Sequence, residues 1–141
     1  MKQNRNKAKK KAWDAMSIYV RTKECRETTG LDFVGECFTC DRRLHITALD
    51  AGHFVAGRRN SILFDERGVH IQCSWWCNRL NHGQHKIYRK RMIEKFGIEV
   101  VEEIEQNAKK VIQDVDMHFE EIEEKYKQKL KELKGEQVCQ E

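Results

Sequence analysis

The stretch that decides the fold of this chain runs from Cys37-Phe-Thr-Cys40 to Cys73-Ser-Trp-Trp-Cys77. The short spacing within each pair lets both thiolates face one point, and two such pairs complete the tetrahedral sphere that Zn²⁺ prefers. The alternative is four free thiols buried in a core. A site of this kind contributes on the order of 10–16 kcal/mol of folding free energy in zinc-finger peptides. We therefore predict a structural zinc ion held by Cys37, Cys40, Cys73 and Cys77.

Cysteine usage also indicates the compartment. No stretch resembles a secretory leader, and no apolar run approaches the roughly 20 residues that span a bilayer. We therefore expect a cytoplasmic protein with no membrane partner, in which thiols stay reduced and paired cysteines bind metal rather than each other. Cys25 and Cys139 have no nearby partner in the sequence, and we expect them to be ordinary thiols.

The chain divides into three segments around the cysteine pairs. Residues 1–30 are basic and place apolar residues at helical spacing, which predicts an N-terminal helix. Residues 31–96 contain both cysteine pairs and short β-prone pieces, and we expect them to form the zinc-bound core. Residues 97–141 begin at a glycine that breaks a helical pattern, and they should form a C-terminal helical arm.

The C-terminal arm carries one apolar stripe with an average step of about 3.67 residues, which is typical of a nearly straight helix. Its members are Val111, Val115, Phe119, Ile122, Tyr126, Leu130 and Leu133. Such a stripe packs either on the core of its own chain or on a second copy. A homodimer is therefore one arrangement that the sequence allows.

Charge is distributed unevenly along the chain. The sequence carries 27 Lys and Arg against 23 Asp and Glu, a net charge of +4. Basic residues crowd positions 2–11 and 79–95, whereas the sequence from Glu99 onward is mostly acidic. A basic half followed by an acidic half favours a polyanionic partner such as a nucleic acid. A solvated surface is the alternative for either basic run.

Asp50-Ala-Gly-His53-Phe54 lies between the cysteine pairs, and Asn78 follows the second pair directly. Phosphodiester hydrolysis needs a base for water and a cation to offset phosphate charge. A neutral imidazole suits the base, and carboxylate and amide oxygens suit Mg²⁺. We therefore expect His53 to act as the base, and Asp50 and Asn78 to bind Mg²⁺ or Mn²⁺. Taken singly, each has a simpler alternative as a packing His, a turn-forming Asp or a helix-capping Asn.

The relative orientation of His53 and Asp50 depends on the strand that carries them. Side chains alternate along a regular strand, so His53 would point to the opposite face from Asp50. A bulge at Gly52 would change that relationship.

Five motifs together resemble the NinG family of lambdoid phages, also called Rap, a family of recombination endonucleases. They are Cys37-x2-Cys40, Asp50-Ala-Gly-His53-Phe54, Phe64-Asp-Glu-Arg67, Val69-His-Ile-Gln-Cys73 and Cys77-Asn78. The likeness runs from about Trp13 to Leu133. The arrangement is also similar to phage endonuclease VII, a zinc-bound HNH junction resolvase.

The resemblance implies an α+β fold, with a zinc-stapled ββα-metal (HNH) core between an N-terminal helix and long C-terminal helices. It implies metal-dependent cleavage of branched DNA, such as D-loops and Holliday junctions, during phage recombination in the host cytoplasm. His53 then matches the general base and Asn78 the metal-binding Asn. Asp50 matches the metal-binding carboxylate, although it stands three residues before the His rather than next to it.

Two positions depart from the pattern that the resemblance implies. Gly68 stands where the family places an Asn that usually braces the hairpin, so we expect weaker positioning rather than loss of the chemistry. The second cysteine pair also contains an extra tryptophan.

Cationic residues close in sequence to the proposed centre are the expected phosphate contacts, which position DNA without selecting its sequence. They are Arg58, Arg59, Arg67, Arg79 and Lys86. We expect His70 to support the site or contact DNA, and His82 or His85 to contact DNA or metal unless both lie on a solvated helical face. The alternative function is a non-catalytic zinc module that binds DNA or recruits a recombination protein, and it has no use for His53 or Asn78.

Overall fold

The computed structural model describes residues 2–135 and begins with helix α1, Lys2–Thr29. Helix α1 occupies nearly the whole of the predicted N-terminal segment, and no proline interrupts it. Met16 and Val20 are buried along its inner face. Gly30 follows the helix with a φ of 78°, a left-handed conformation that glycine adopts without steric cost.

Two antiparallel two-stranded sheets follow α1. The strands are β1 Val34–Glu36 and β2 Arg43–His45 in the first sheet, and β3 Leu49–His53 and β4 Val69–Cys73 in the second. The turn between β1 and β2 holds Cys37 and Cys40, and Cys73 ends β4, so the two hairpins bring the cysteine pairs together. The fold is therefore mixed α and β, as predicted.

Short helical elements connect and follow the second hairpin. They are α2 Asn60–Leu63, a π-helix over Ser74–Leu80, α3 His85–Phe96, α4 Ile98–Asn107 and α5 Phe119–Gly135. Gly97 separates α3 from α4 with a φ of 90°, at the break that the sequence predicts. Helix α3 lies against the face of the β3–β4 hairpin that contains His70, whereas α5 returns the chain to α1.

The π-helix explains the unusual spacing of the second cysteine pair. The backbone N–H of Asn81 donates to the carbonyl of Trp76 over 3.1 Å, a bond that spans five residues rather than four. One inserted residue widens an α-turn in this way, and such widened turns are frequent at functional sites. The extra residue in Cys73-x3-Cys77 is therefore accommodated without moving either cysteine away from the cluster.

The β3–β4 hairpin lies between two helical layers. On one face Ala51 packs with Met16 of α1 and Tyr126 of α5. On the other face His70 lies against Tyr88 of α3, with ring centroids 6.1 Å apart. The hairpin therefore receives support from both ends of the described chain.

The predicted C-terminal helix is wrong for its first part. Val111 and Val115 are 85% and 61% exposed, and α5 begins only at Phe119. Asn60 donates to the carbonyl of Ile112 over 2.9 Å and to the carboxylate of Asp114 over 2.7 Å. These long-range bonds hold residues 112–114 in an irregular path, so the apolar residues before Phe119 do not lie along a helix.

Helix α5 packs along α1. Phe119 and Tyr126 are buried, and the Tyr126 ring lies 5.7 Å from the ring of Tyr19. The guanidinium of Arg26 donates to the carbonyl of Leu133 near the other end of the pair. The inner part of the predicted seam is thus covered within the chain. Of the helices described, none combines the length and apolar character needed to cross a membrane.

Candidate functional site

The four cysteines of the two pairs form one cluster, with all Sγ atoms within 4.8 Å of one another. Cys37 Sγ lies 3.7 Å from Cys77 Sγ, and Cys40 Sγ lies 3.7 Å from Cys73 Sγ. A tetrahedron with Zn–S bonds near 2.3 Å has an edge of about 3.8 Å, which agrees with both distances. The cluster could therefore hold a zinc ion, as the sequence predicts.

Local hydrogen bonds prepare this cluster for thiolate chemistry. Burial disfavours ionisation of Cys37, but hydrogen bonds from the Thr39 hydroxyl and from backbone N–H groups outweigh burial and lower the pKa of that thiol to about 7. Burial raises the pKa of Cys40 to about 11 and raises the pKa of Cys77 as well. Neighbouring thiolates repel one another, so a cation is needed to ionise the whole set.

A cleft with a volume of about 560 Å³ follows the edge of β3 that faces away from β4. Four consecutive β3 residues, Asp50–His53, line it, whereas none of Val69–Cys73 in β4 does. Other groups on its walls are Trp13, Arg58, Asn78 and His82. The cleft therefore gathers side chains from α1, the second hairpin and the π-helix.

Asp50 and Asn78 are in direct contact within this cleft. The Asn78 amide Nδ2 donates to Asp50 Oδ2 over 2.8 Å, and the Ser74 hydroxyl donates to Asp50 Oδ1 over 2.8 Å. The amide oxygen of Asn78 is then the atom that it can offer to a cation. Because carboxylate and amide oxygens are hard donors, the pair suits Mg²⁺ or Mn²⁺.

His53 is held from two sides at the other wall of the cleft. Its ring stacks on Trp13 with centroids 4.7 Å apart, and its Nε2 lies 3.2 Å from the carbonyl oxygen of Leu63. Nε2 must carry the proton to donate to that carbonyl, which leaves Nδ1 as the basic nitrogen. Burial lowers the pKa of His53, and the positive charge of Arg58 lowers it further, whereas the hydrogen bond to the Leu63 carbonyl opposes the shift. The net lowering keeps the imidazole neutral near pH 7.

Strand β3 is regular, and Gly52 forms no bulge. Asp50 lies opposite Gln72, and His53 lies opposite Val69, with every intervening residue in register. His53 and Asp50 therefore project from opposite faces of the strand. Both nevertheless line one cleft, because the cleft follows the edge of the strand.

The proposed phosphate contacts differ in what they already bind. Arg58 lines the cleft, with its guanidinium 5.1 Å from the Trp13 ring, and Arg79 and Lys86 are exposed. Arg59 donates to the carbonyl of Ala108 over 3.0 Å. Arg67 pairs with Asp65 and Glu103. Arg58 is thus the member of this set that stands in the cleft, and Arg59 and Arg67 are engaged within the fold.

The three other histidines considered from the sequence have different environments. His70 is only 3% exposed and bonds through Nδ1 to Glu24 and through Nε2 to the Arg67 carbonyl, so it supports the fold and cannot contact DNA. His85 stacks on Phe54 with ring centroids 5.3 Å apart. His82 is exposed and lines the cleft. Of the pair after Asn78, His82 is therefore the candidate for contact with metal or DNA.

The family model described as Bacteriophage Lambda NinG protein matches residues 1–136. The chain belongs to the NinG family. It is 36% identical over 100 residues to protein ninG of Escherichia phage 933W, which covers 70% of this chain and 48% of that protein. The protein ninG of Salmonella phage P22 is 35% identical over 99 residues, covering 70% of this chain and 47% of that protein.

The protein ninG of Escherichia phage lambda is 33% identical over 100 residues, covering 70% of this chain and 48% of that protein. The chain thus spans about half the length of the curated NinG relatives that it matches. No solved structure matches this NinG-family chain.

The hairpin is braced despite the glycine where the NinG resemblance places an Asn. The hydroxyl of buried Tyr88 donates to the carbonyl of Gly52 over 2.7 Å and lies 3.5 Å from the carbonyl oxygen of Gly68. The backbone N–H of Phe54 also donates to the Gly68 carbonyl over 2.8 Å. Helix α3 therefore ties both strands together beside the cleft.

Gln72 is a connecting residue that sequence reasoning did not single out. It is fully buried, and its Nε2 donates to Thr39 Oγ1 over 3.2 Å and to the carbonyl of Gly83 over 2.8 Å. Thr39 in turn lies 3.4 Å from Cys37 Sγ, while Gly83 lines the cleft. The signal available in the sequence was a polar residue in a β-prone segment, directly before a cysteine of the second pair.

Proposed function

We propose that this chain is a metal-dependent endodeoxyribonuclease that cuts branched DNA, such as D-loops and Holliday junctions. The observation that carries the proposal is the cleft along β3, which is lined by His53, by the Asp50–Asn78 pair and by Arg58. An imidazole base, two hard oxygen donors and a guanidinium are the groups that phosphodiester hydrolysis requires. Membership of the NinG family supports the phage context but leaves the reaction as our inference.

The order of elements supports an HNH-type arrangement. The antiparallel strands β3 and β4 are followed by the π-helix, which begins directly after β4 and carries Asn78. A carboxylate at position 52, immediately before His53, would project from the face of the strand opposite to His53. Position 50 lies on the same face as position 52. Asp50 therefore projects on the side where such a carboxylate would be, although it is three residues from the His.

His53 is the proposed general base. Nδ1 accepts a proton from water, the water oxygen forms a bond to phosphorus, and the bond from phosphorus to the 3′ oxygen breaks. The Leu63 carbonyl fixes the tautomer, and Trp13 fixes the plane of the ring. Because its pKa is lowered, His53 is in the proton-accepting form at neutral pH.

Asp50 and Asn78 are the proposed ligands of Mg²⁺ or Mn²⁺, and His82 is the nearest candidate for a third. A divalent cation held there would offset negative charge on the phosphate and on the departing oxygen. Ser74 and Asn78 fix the Asp50 carboxylate through its two oxygens. Arg58 in the cleft and Arg79 outside it are the proposed phosphate contacts.

The zinc site is proposed to hold this arrangement in place rather than to react. Asn78 follows Cys77 directly, and Leu49 at the start of β3 lies opposite Cys73. Asn78 is therefore one residue away from a zinc ligand, and Asp50 follows directly after the residue that pairs with another. Closed four-cysteine sites have no open position for substrate, which agrees with a structural role.

The deciding experiment offers the protein a synthetic four-way junction and a linear duplex of the same sequence, with and without added Mg²⁺. We expect nicking of the junction that requires Mg²⁺. His53→Ala should lower the rate by about 10²- to 10⁴-fold while junction binding survives. His118→Ala, at an exposed His remote in sequence from the cleft, is the matched control and should cut normally.

The other outcomes of that experiment are equally informative. Binding without cutting under any metal condition favours the non-catalytic zinc module, which would bind DNA or recruit a recombination protein. Equal cutting of both substrates favours a nuclease without preference for branches. A symmetric junction needs two cuts, and we propose that two copies supply them. Ile122 and Tyr126 of the apolar stripe pack on α1 within the chain, whereas Val111 and Val115 remain exposed.

A further inference from the structure

Two tryptophans on the π-helix are the largest aromatic side chains left open to solvent in the described part of the chain. Trp75 is 64% exposed and Trp76 is 43% exposed. They stand on the turn that carries Asn78, and Leu80 on the same turn is 49% exposed. Large aromatic side chains are costly to leave in water and are enriched where proteins bind partners. Neither ring contributes to the described core, so we expect a binding partner to cover this surface.

The turn that presents these rings is held by the thiol cluster and by two hydrogen bonds. Cys73 and Cys77 anchor it at the thiol cluster, and the backbone N–H of Cys77 donates to Cys73 Sγ over 3.2 Å. The side chain of Asn81 also donates to the carbonyl of Trp76 over 2.8 Å. The tryptophans therefore project from a fixed base, and binding through them would lose little conformational entropy.

The charge around the rings favours a nucleic acid over an apolar protein surface. The guanidinium of Arg42 lies 5.5 Å from the centroid of the Trp76 ring, and Arg79 is exposed on the same turn. Segment 74–80 contains no acidic residue. Aromatic rings beside arginines are the combination that stacks on unpaired bases and holds the adjoining phosphates.

We propose that Trp75 and Trp76 stack on bases that are unpaired at the branch point of a DNA substrate. The tryptophans would act as specificity-determining residues, because paired bases inside a duplex offer no free ring face. The extra residue in Cys73-x3-Cys77, which widens the turn into a π-helix, is one of the two tryptophans that form this surface. This inference rests on the proposed action on branched DNA, but it concerns recognition and not hydrolysis.

The test measures binding to a forked DNA with 2-aminopurine at the branch, and to a matched linear duplex, without added Mg²⁺ or Mn²⁺. Trp75→Ala/Trp76→Ala should weaken fork binding by at least roughly 5- to 150-fold, which is the range for losing a single stacked base. The same double variant should change duplex binding little and should abolish the quenching of 2-aminopurine. Trp75→Phe/Trp76→Phe should retain most fork affinity, because a phenyl ring still stacks.

Ile87→Ala provides the matched control, since Ile87 is a 40% exposed apolar side chain on α3. Zinc content and far-UV circular dichroism establish that each variant is folded. The inference is overturned if the double alanine variant keeps the wild-type preference for fork over duplex, or if the wild type has no such preference. A wild type that prefers forks through these rings but cuts nothing with Mg²⁺ would overturn the nuclease proposal and leave this one standing.

Discussion

Asn78 Nδ2 donates a hydrogen bond to Asp50 Oδ2 over 2.8 Å, across the space between the π-helix and strand β3. The two residues are 28 positions apart in sequence, and Ser74 holds the other carboxylate oxygen. The contact brings a carboxylate and an amide oxygen to one end of the cleft that also contains His53. It is the relationship on which the proposed metal site depends.

Asp50→Asn removes the negative charge from this pair while keeping its shape. We expect cutting of a four-way junction to require about 10- to 100-fold more Mg²⁺, because a neutral amide is a weaker ligand for a hard cation. The Mg²⁺ dependence of the initial rate measures the effect. Asp14→Asn, at an exposed carboxylate that pairs with Lys10, is the control. An unchanged Mg²⁺ dependence in Asp50→Asn would remove Asp50 from the site.

The pKa of His53 predicts the acid limit of activity. Because burial lowers this pKa below 6.5, protonation and loss of the base should begin only below that pH. Arg58→Gln removes a positive charge that also lowers the pKa, so the acid limit should move to higher pH. An NMR titration of the His53 ring measures the shift without relying on activity. Arg43→Gln, which disrupts an exposed pair with Glu36, should leave the titration unchanged.

The same pKa shift has a consequence for stability. The unfolded chain binds a proton at His53 more readily than the folded chain does, so this residue makes stability rise with pH. Its contribution is complete above the ordinary His pKa of 6.5 and is lost as the pH falls through the lowered value. Denaturant titrations at several pH values should show a smaller acid-induced loss in His53→Gln than in the wild type. An identical pH dependence in both proteins would contradict this assignment.

Zinc should be required for the fold. Cys40→Ser should lower the zinc content from about one ion per chain and lower the melting temperature, because the remaining thiols cannot complete the tetrahedral site. Elemental analysis and thermal unfolding measure the two effects. Cys25→Ala is the matched control, since Cys25 is buried beside Leu49 and Ile71 and outside the cluster. Wild-type protein that is fully folded without zinc would contradict the structural role.

Gly52 and Gln72 should behave as a coupled pair. A Cβ atom at position 52 would lie 2.0 Å from Gln72 Oε1, so Gly52→Ala forces the buried side chain to move. We expect a loss of about 1–3 kcal/mol in the free energy of unfolding. The loss should be smaller in a Gln72→Ala background, where the obstructing atoms are gone. Denaturant unfolding of the four proteins measures the coupling, and strictly additive losses would show that the two positions are independent.

Sequence reasoning succeeded where the determining signals are local. The spacing of Cys37 with Cys40 and of Cys73 with Cys77 predicts the cluster, and Gly97 predicts the break between α3 and α4. It left the role of His70 open between supporting the site and contacting DNA, because burial of that ring depends on a hydrogen bond to Glu24, 46 residues earlier. No property of the sequence around position 70 reveals that partner.

The predicted helix from Val111 failed for a similar reason. Apolar spacing describes a face, but the face becomes helical only when something packs on it. Bonds from Asn60 fix residues 112–114 in an irregular path, and α1 stabilises the stripe only from Phe119 onward. Trp13 beside His53 was missed because a helix more than 35 positions away supplies it.

The packing of α5 on α1 also has a consequence for how the protein is made. Helix α1 can pack on α5 only late in synthesis, because Tyr126 and Phe119 are synthesised more than 100 residues after the amino terminus of α1. During translation the two hairpins can already cover part of α1, but the part that α5 covers must remain open to solvent, or shielded by a chaperone, until α5 has left the ribosome. A ribosome that stalls before that point would release a chain with both cysteine pairs complete but with α1 only partly covered.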